Sequence, residues 1–155
     1  MKQLLASVMF ALAVVGCAGV YVSPATQDVN VTVLAVEPDC LPYSRTGCVS
    51  MKITNHGPLP FRVNLWPIQG RNFAHGHARN FECRAKGEAD ERWVSCYTVL
   101  DLLIEPPSHY RVGEGESEVI WVELPMQMEG KEIRVELIDQ AGNGFRSNGF
   151  GLPRH

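Results

Sequence analysis

Apolar and polar residues alternate along most of the chain after its first 20 positions. Val29, Val31, Val33 and Ala35 would share one face of a strand, and the same period of two recurs in five further segments. These segments are residues 49–54, 61–66, 93–99, 119–124 and 133–138. A period of two is typical of half-buried β-strands, because successive side chains point to opposite faces. The pattern therefore predicts an all-β protein.

Turn residues separate the predicted strands. Asn55-His56-Gly57-Pro58 interrupts the pattern after the second strand, and Gly142-Asn143-Gly144 is typical of a hairpin near the end of the chain. The best helical alternative, Tyr97–Glu105, is dominated by residues that favour strands and is stopped by Pro106. Six clear strands, with one or two weaker ones, indicate an antiparallel β-sandwich of about seven strands.

Two local patterns resemble bacterial immunoglobulin-like domains. The first is Asn55-His56-Gly57 followed by the strand Phe61–Leu65, and the second runs from the Gly-Glu turn at residues 112–117 through the strands to residue 143. The resemblance implies an immunoglobulin-like β-sandwich over residues 28–155, and it bears on the fold alone. Residues 68–92 depart from such a layout, since they show little alternation. They are predicted to form one long loop, and loops of that length are usually functional or contain secondary structure that the alternation does not show.

The first 16 residues have the features of an export signal peptide. Lys2 precedes the apolar run Leu4–Val15, which is too short to cross a bilayer as a helix. The run ends in Val14-Val15-Gly16-Cys17, which resembles the lipobox of bacterial lipoprotein precursors. That resemblance implies cleavage before Cys17 and attachment of a diacylglycerol to its sulfur, with further acylation such as palmitate at the new amine. A plain signal peptide cleaved near Ala18 is the alternative.

The lipobox resemblance also implies a location and a first partner. The lipid would tie the protein to a membrane of the cell envelope, and residues 17–27 would be a lipidated tether before the domain. In Gram-negative lipoproteins an Asp after the Cys tends to retain the protein in the inner membrane. Ala18 therefore favours the outer membrane, facing the periplasm, for a Gram-negative source.

Four cysteines remain after Cys17, namely Cys40, Cys48, Cys83 and Cys96. An even number in an exported domain indicates two disulfides. Three pairings are open. The local pairs Cys40–Cys48 and Cys83–Cys96 are favoured, because each closes a loop rich in polar and turn residues. The spacings C-x7-C and C-x12-C are not those of a structural zinc site.

Neither catalysis nor nucleic-acid binding is indicated. The sequence holds no G-x-S-x-G, H-E-x-x-H, P-loop or dinucleotide-binding glycine motif. Its acidic cluster Glu88, Asp90 and Glu91 lies beside Lys86 and Arg92, as in a solvated loop. We therefore expect no enzymatic activity and no cofactor. The net charge of −3 makes nucleic acid a poor partner, since phosphates bind to basic surfaces.

His75-Gly76-His77 is the pattern that could bind a metal. Two imidazoles at i and i+2 in a flexible loop can reach one copper or zinc ion. His56 or His109, or the thioethers of Met126 and Met128, could complete such a site. Periplasmic copper or zinc binding through His75 and His77 is therefore an alternative function.

Aromatic and basic residues in and beside the 68–92 loop predict a surface for a protein partner. The predicted contact residues are Trp66, Arg71, Phe73, Arg79 and Phe81. Tyr, Trp and Arg are enriched at protein interfaces. The competing interpretation is that the loop covers Trp66. The leading hypothesis is a non-enzymatic, lipid-anchored envelope protein that contacts another envelope protein or a wall component through this loop. An inhibitor of a secreted hydrolase is a further alternative.

Overall fold

The structure, a computed structural model, describes residues 21–37, 47–67, 75–85, 92–98, 106–125, 128 and 130–152. Within these ranges it contains eleven β-strands and one 3-10 turn at Thr26–Asp28, which confirms the predicted all-β class. The strands are β1 (Val29–Glu37), β2 (Cys48–Asn55), β3 (Phe61–Pro67), β4 (His75–His77), β5 (Asn80–Ala85), β6 (Val94–Thr98), β7 (Ser108–Val112), β8 (Ser117–Glu123), β9 (Lys131–Asp139), β10 (Gly144–Arg146) and β11 (Phe150–Gly151).

The strands predicted from alternation are all present, and the hairpin predicted at Gly142-Asn143-Gly144 joins β9 to β10. The prediction of a single loop over residues 68–92 is wrong, because this interval contains β4 and β5. In β5 the side chains of Phe81, Glu82 and Cys83 are all buried and that of Arg84 is half-exposed. Apolar and charged residues alternate over these four positions, but burial does not, and the run is too short to stand out among the surrounding charged residues.

The strands form one mixed sheet. The order of pairing is β1-β2-β8-β4-β3-β9-β5-β6, with β7 also on β3 and with β10 and β11 on β9. β4 is parallel to β8, and the other strand pairs are antiparallel. β3 connects two groups of strands, since residues 61–65 pair with β7 and β9 whereas Trp66 and Pro67 pair with β4.

A single hydrophobic core joins the two groups of strands. Met51 of β2 and Ile120 of β8 are fully buried in the same cluster as Val63 of β3 and Leu137 of β9. Side chains of this kind contribute about 1.5–3 kcal/mol each when they are removed from water. The shared core holds the two groups of strands together.

β9 is the central strand of its group and defines two ends of the domain. It pairs with β3, β5, β10 and β11, and its nine residues span about 27 Å. At the Lys131 end, Ala85 of β5 lies opposite Lys131. At the Asp139 end, the backbone N–H of Gln140 donates to the carbonyl of Arg62 over 3.1 Å. The end of the domain at Lys131 is called the Lys131 end, and the opposite end is called the Asp139 end.

Candidate functional site

The Cys83–Cys96 disulfide joins β5 to β6. The Cα atoms of the two cysteines are 5.6 Å apart, and Cys83 is buried against the core. The predicted Cys83–Cys96 pairing is thereby confirmed. Cys48 is also disulfide-bonded, whereas Cys40, its predicted partner, lies outside the described residues.

A groove of about 360 Å³ lies beside this disulfide, near the Lys131 end. Its described lining consists of Cys83, Arg84, Ala85, Arg92, Val94, Cys96 and Lys131. Three of these side chains are cationic and none is a carboxylate. Val94 is 59% exposed, so the groove also offers an apolar contact. An apolar patch bordered by arginine and lysine resembles a protein-binding surface with some preference for acidic ligands.

Arg84 is held in the groove by two contacts. Its Nε lies 2.6 Å from Oε2 of Glu132, which is opposite it in the β5–β9 register. Its guanidinium lies 4.8 Å from the ring centroid of Trp93, and the guanidinium of Arg134 lies 4.5 Å from the same ring. A guanidinium at that distance from an indole is stabilised by a cation–π interaction. Trp93 thus orients Arg84 and also fixes the chain between Arg92 and β6.

The buried carboxylate of Glu82 anchors the charged residues next to the groove. Glu82 is 9% exposed and accepts hydrogen bonds from Arg134 of β9 and Arg146 of β10. Arg146 also lies 2.6 Å from Oε1 of Glu136. Because each charge has an opposite partner across a strand boundary, the network ties β5, β9 and β10 in one register. The groove is therefore built on a rigid part of the sheet.

The structure describes three of the five predicted contact residues. Phe81 is 1% exposed and Trp66 is 9% exposed, so both are buried and cannot form the predicted contact surface. Arg79 is exposed. Arg71 and Phe73 lie outside the described residues.

His75, Gly76 and His77 form strand β4 and do not lie in a flexible loop. Gly76 passes so close to β3 that a Cβ atom would lie 2.8 Å from Cβ of Leu65. Nδ1 of His77 lies 3.1 Å from Oε2 of Glu123.

The other predicted metal ligands do not join His77. His109 is exposed on β7, where its Nδ1 lies 2.8 Å from Oδ1 of Asn64. His56 follows the last residue of β2, whereas Glu123, the neighbour of His77, pairs with the first. Met128 is buried, and Met126 lies outside the described residues. Among the described residues no group of three His, Cys, Asp or Glu side chains could hold a metal ion.

Sequence reasoning missed Arg84, Trp93, Val94 and Lys131. Each lies at the end of a strand or in β5, and the groove exists only because β5 lies between β6 and β9. The alternation of Phe81 and Cys83 with charged residues was the available signal for β5. Nothing local in the sequence indicated that Lys131 lies near Arg84.

Comparison with protein-family models gave no match to the chain, and neither did comparison with curated protein sequences. In the described ranges no helix has the length and apolar character that crossing a membrane requires. Any functional inference therefore depends on the residues themselves.

Proposed function

We propose that this chain is a lipid-anchored protein of the bacterial cell envelope that binds an acidic segment of a protein partner in the groove beside the Cys83–Cys96 disulfide. The observation that carries the proposal is the arrangement of Arg84, Arg92 and Lys131 around the exposed side chain of Val94. No enzymatic step is part of the proposal. The disulfide is consistent with an oxidising compartment outside the cytoplasm.

The lipid anchor rests on the leader and on Cys17. Both lie outside the described residues, so the support is the lipobox resemblance of residues 14–17 together with the disulfide. For a Gram-negative source the proposed location is the outer membrane. The mass of the protein extracted from its envelope in mild detergent tests this part directly, because acylation at Cys17 adds several acyl chains.

We also propose that the fold is an immunoglobulin-like β-sandwich. The group β1–β2–β8 shares one core with the group β3–β9–β5, and β9 and β10 form a terminal hairpin. Val31 of β1 makes a parallel bridge to Ser147, which follows the hairpin. A first strand that bridges in parallel to the segment directly after the β9–β10 hairpin, over a shared core, favours this architecture.

The choice of an acidic protein segment follows from the lining of the groove. Arg84, Arg92 and Lys131 line the groove, and the side chains of Arg92 and Lys131 are exposed, so the lining carries positive charge at its surface. Val94 belongs to β6, which ends the pairing order of the described strands, and its side chain is exposed. A partner that combines an apolar side chain with carboxylates would match both features.

A photo-crosslinking amino acid tests the groove in the native envelope. Placed at Val94 it should yield a discrete protein adduct, and the crosslinked peptide of the partner should be acidic. Lys131→Glu should abolish the adduct, whereas Lys52→Glu, an equal change at an exposed residue of β2, should leave it intact. The proposal would be contradicted if the photo-crosslinking residue at position 94 formed no protein adduct. It would also be contradicted if the same residue, placed at position 52, formed the same adduct.

Metal binding is the second candidate, favoured by the 3.1 Å approach of His77 to Glu123. It predicts saturable binding of one copper or zinc ion that His77→Ala abolishes and His109→Ala does not. Calorimetry with the metal ion alone measures this. Unchanged binding in the His77 variant would exclude the site.

A further inference from the structure

The first described residues of the predicted tether, 21–23, are packed onto the Asp139 end of the domain. The hydroxyl of Ser23 donates to the carboxylate of Asp139, and the hydroxyl of Tyr21 donates to the same carboxylate over 3.4 Å. The backbone N–H of Arg62 donates to the Tyr21 hydroxyl over 3.2 Å. Tyr21 and Ser23 thereby attach this part of the tether to β3 and β9.

Asp139 holds this segment rigidly. Its carboxylate is fully buried and also accepts the backbone N–H groups of Ala141 and Asn143 over 2.9 and 2.8 Å. One side chain thus fixes both the turn after β9 and the chain that leads into β1. A buried carboxylate with this many donors is costly to release, because each released group needs a new partner.

Only three residues separate Cys17 from Tyr21. Four residue steps span at most about 14 Å even when fully extended. On the proposed function, in which Cys17 carries the lipid, Tyr21 must therefore lie within that distance of the bilayer surface. We infer that the Asp139 end of the domain rests against the lipid headgroups, and that the groove at the Lys131 end points away from the membrane.

The surface at the Asp139 end suits contact with headgroups. The exposed turn Gln140-Ala141-Gly142-Asn143 has no charged side chain of its own. The guanidinium of Arg62 lies beside it, 3.3 Å from Oε1 of Gln140, and is a cation that can pair with lipid phosphates. Val22 is 57% exposed and Leu59 is 38% exposed, and both lie near this end. Leu59 is placed there by its carbonyl, which accepts from Asn55, and by the neighbouring strand start at Phe61. These two apolar side chains can enter the interface of the bilayer.

Crosslinking to lipid tests the orientation on the acylated full protein in vesicles of phosphatidylcholine with phosphatidylglycerol. A photo-crosslinking residue at Ala141 should form several times more lipid adduct than the same residue at Lys131. The Tyr21→Phe, Ser23→Ala double variant removes the two hydroxyl groups by which this segment donates to Asp139, so the difference between the two positions should shrink. A matched control, Thr32→Ala on β1, should keep it.

Two different failures can be told apart. Equal crosslinking at Ala141 and Lys131 in the acylated, vesicle-bound protein would overturn the orientation and leave the anchor intact. A protein whose mass shows no acyl chains and which does not bind vesicles would instead overturn the lipid anchor itself. If the double variant unfolded, the comparison of the two positions in the otherwise unmodified protein would still decide the orientation.

Discussion

The buried side chain of Asn55 joins three segments of backbone. Its Nδ2 donates to the carbonyls of Leu59 and Gly113 over 2.7 and 3.1 Å, and its Oδ1 accepts the N–H of Gly57 over 3.1 Å. A primary amide is suited to this position, because it supplies donors and an acceptor at once. The turn after β2 and the turn after β7 are thereby tied together.

The Asn55→Asp variant should lower the free energy of unfolding by about 2–3 kcal/mol, because a carboxylate cannot donate to the two carbonyls. Urea unfolding of the mature domain measures the loss. The control Asn30→Asp makes the same change at an exposed position of β1 and should stay within about 0.5 kcal/mol of the parent. Equal stability of the two variants would show that the Asn55 hydrogen bonds contribute little.

Tyr21 provides a pH-dependent signal for the packed segment. Burial raises the pKa of Tyr21 above its ordinary value of 10.0; the hydrogen bond from Arg62 opposes this, and the negative charge of Asp139 adds to it. Burial likewise raises the pKa of Tyr110, with Glu118 acting in the same direction. The folded state therefore holds these protons more tightly than the unfolded state does.

The protonated Tyr21 hydroxyl should contribute to the free energy of unfolding in full below pH 10. This contribution should be lost as the pH rises through the raised pKa of Tyr21. The sign follows because the unfolded chain releases the proton first. In the Tyr21→Phe variant the fall of stability above pH 10 should be shallower than in the parent, as measured by urea unfolding from pH 9 to 11. An identical fall in both proteins would mean that Tyr21 titrates normally.

At the scale of elements, β4 shows which strands the sequence could predict. The long alternating strands were predictable, because each exposes one face and buries the other. β4 has three residues with a glycine at the centre, and its place is set by β3 and β8 on either side. Such a strand has no signal of its own, since its hydrogen-bond partners are distant in sequence.

A Gly76→Ala variant should lose about 1–3 kcal/mol of stability, because its Cβ would meet Leu65 and the carbonyl of Trp66 and push β4 away from β3. Thermal or urea unfolding measures this. Gly151→Ala is the matched control in β11, where an added Cβ meets nothing within 4 Å. Similar stability in both variants would imply that β4 can shift freely.

The Cys83–Cys96 pair closes a loop with a sequence separation of 13 residues, and the chain-entropy model assigns about 3 kcal/mol to such a loop. A double Cys→Ala variant at these positions should lose stability on that scale and should also weaken the Val94 crosslink, because both cysteines line the groove. Urea unfolding and the crosslinking yield measure the two effects. Loss of stability with an unchanged crosslink would show that the groove does not depend on the disulfide.

At the scale of the whole molecule, the sequence predicted the fold class and one disulfide but not the site. The charges of Arg84, Arg92 and Lys131 are scattered in the sequence, and they meet only through the order β9-β5-β6. Phe81 was misplaced at the surface for the same reason, since its strand was not recognised. Strand order depends on contacts between distant segments, so local periodicity does not determine it.

The position of β9 between the membrane anchor and the groove determines how the domain bears force. In the proposed arrangement the membrane holds the domain next to Asp139, and a partner pulls on it next to Lys131. The anchor then pulls on β9 at Asp139 and the partner pulls on β5 and β6 at the opposite end, so the hydrogen bonds between β5 and β9 lie across the direction of pull. Such bonds are loaded together in shear and do not open one after another. We therefore expect the domain to resist force applied between these two ends better than force applied across the sheet.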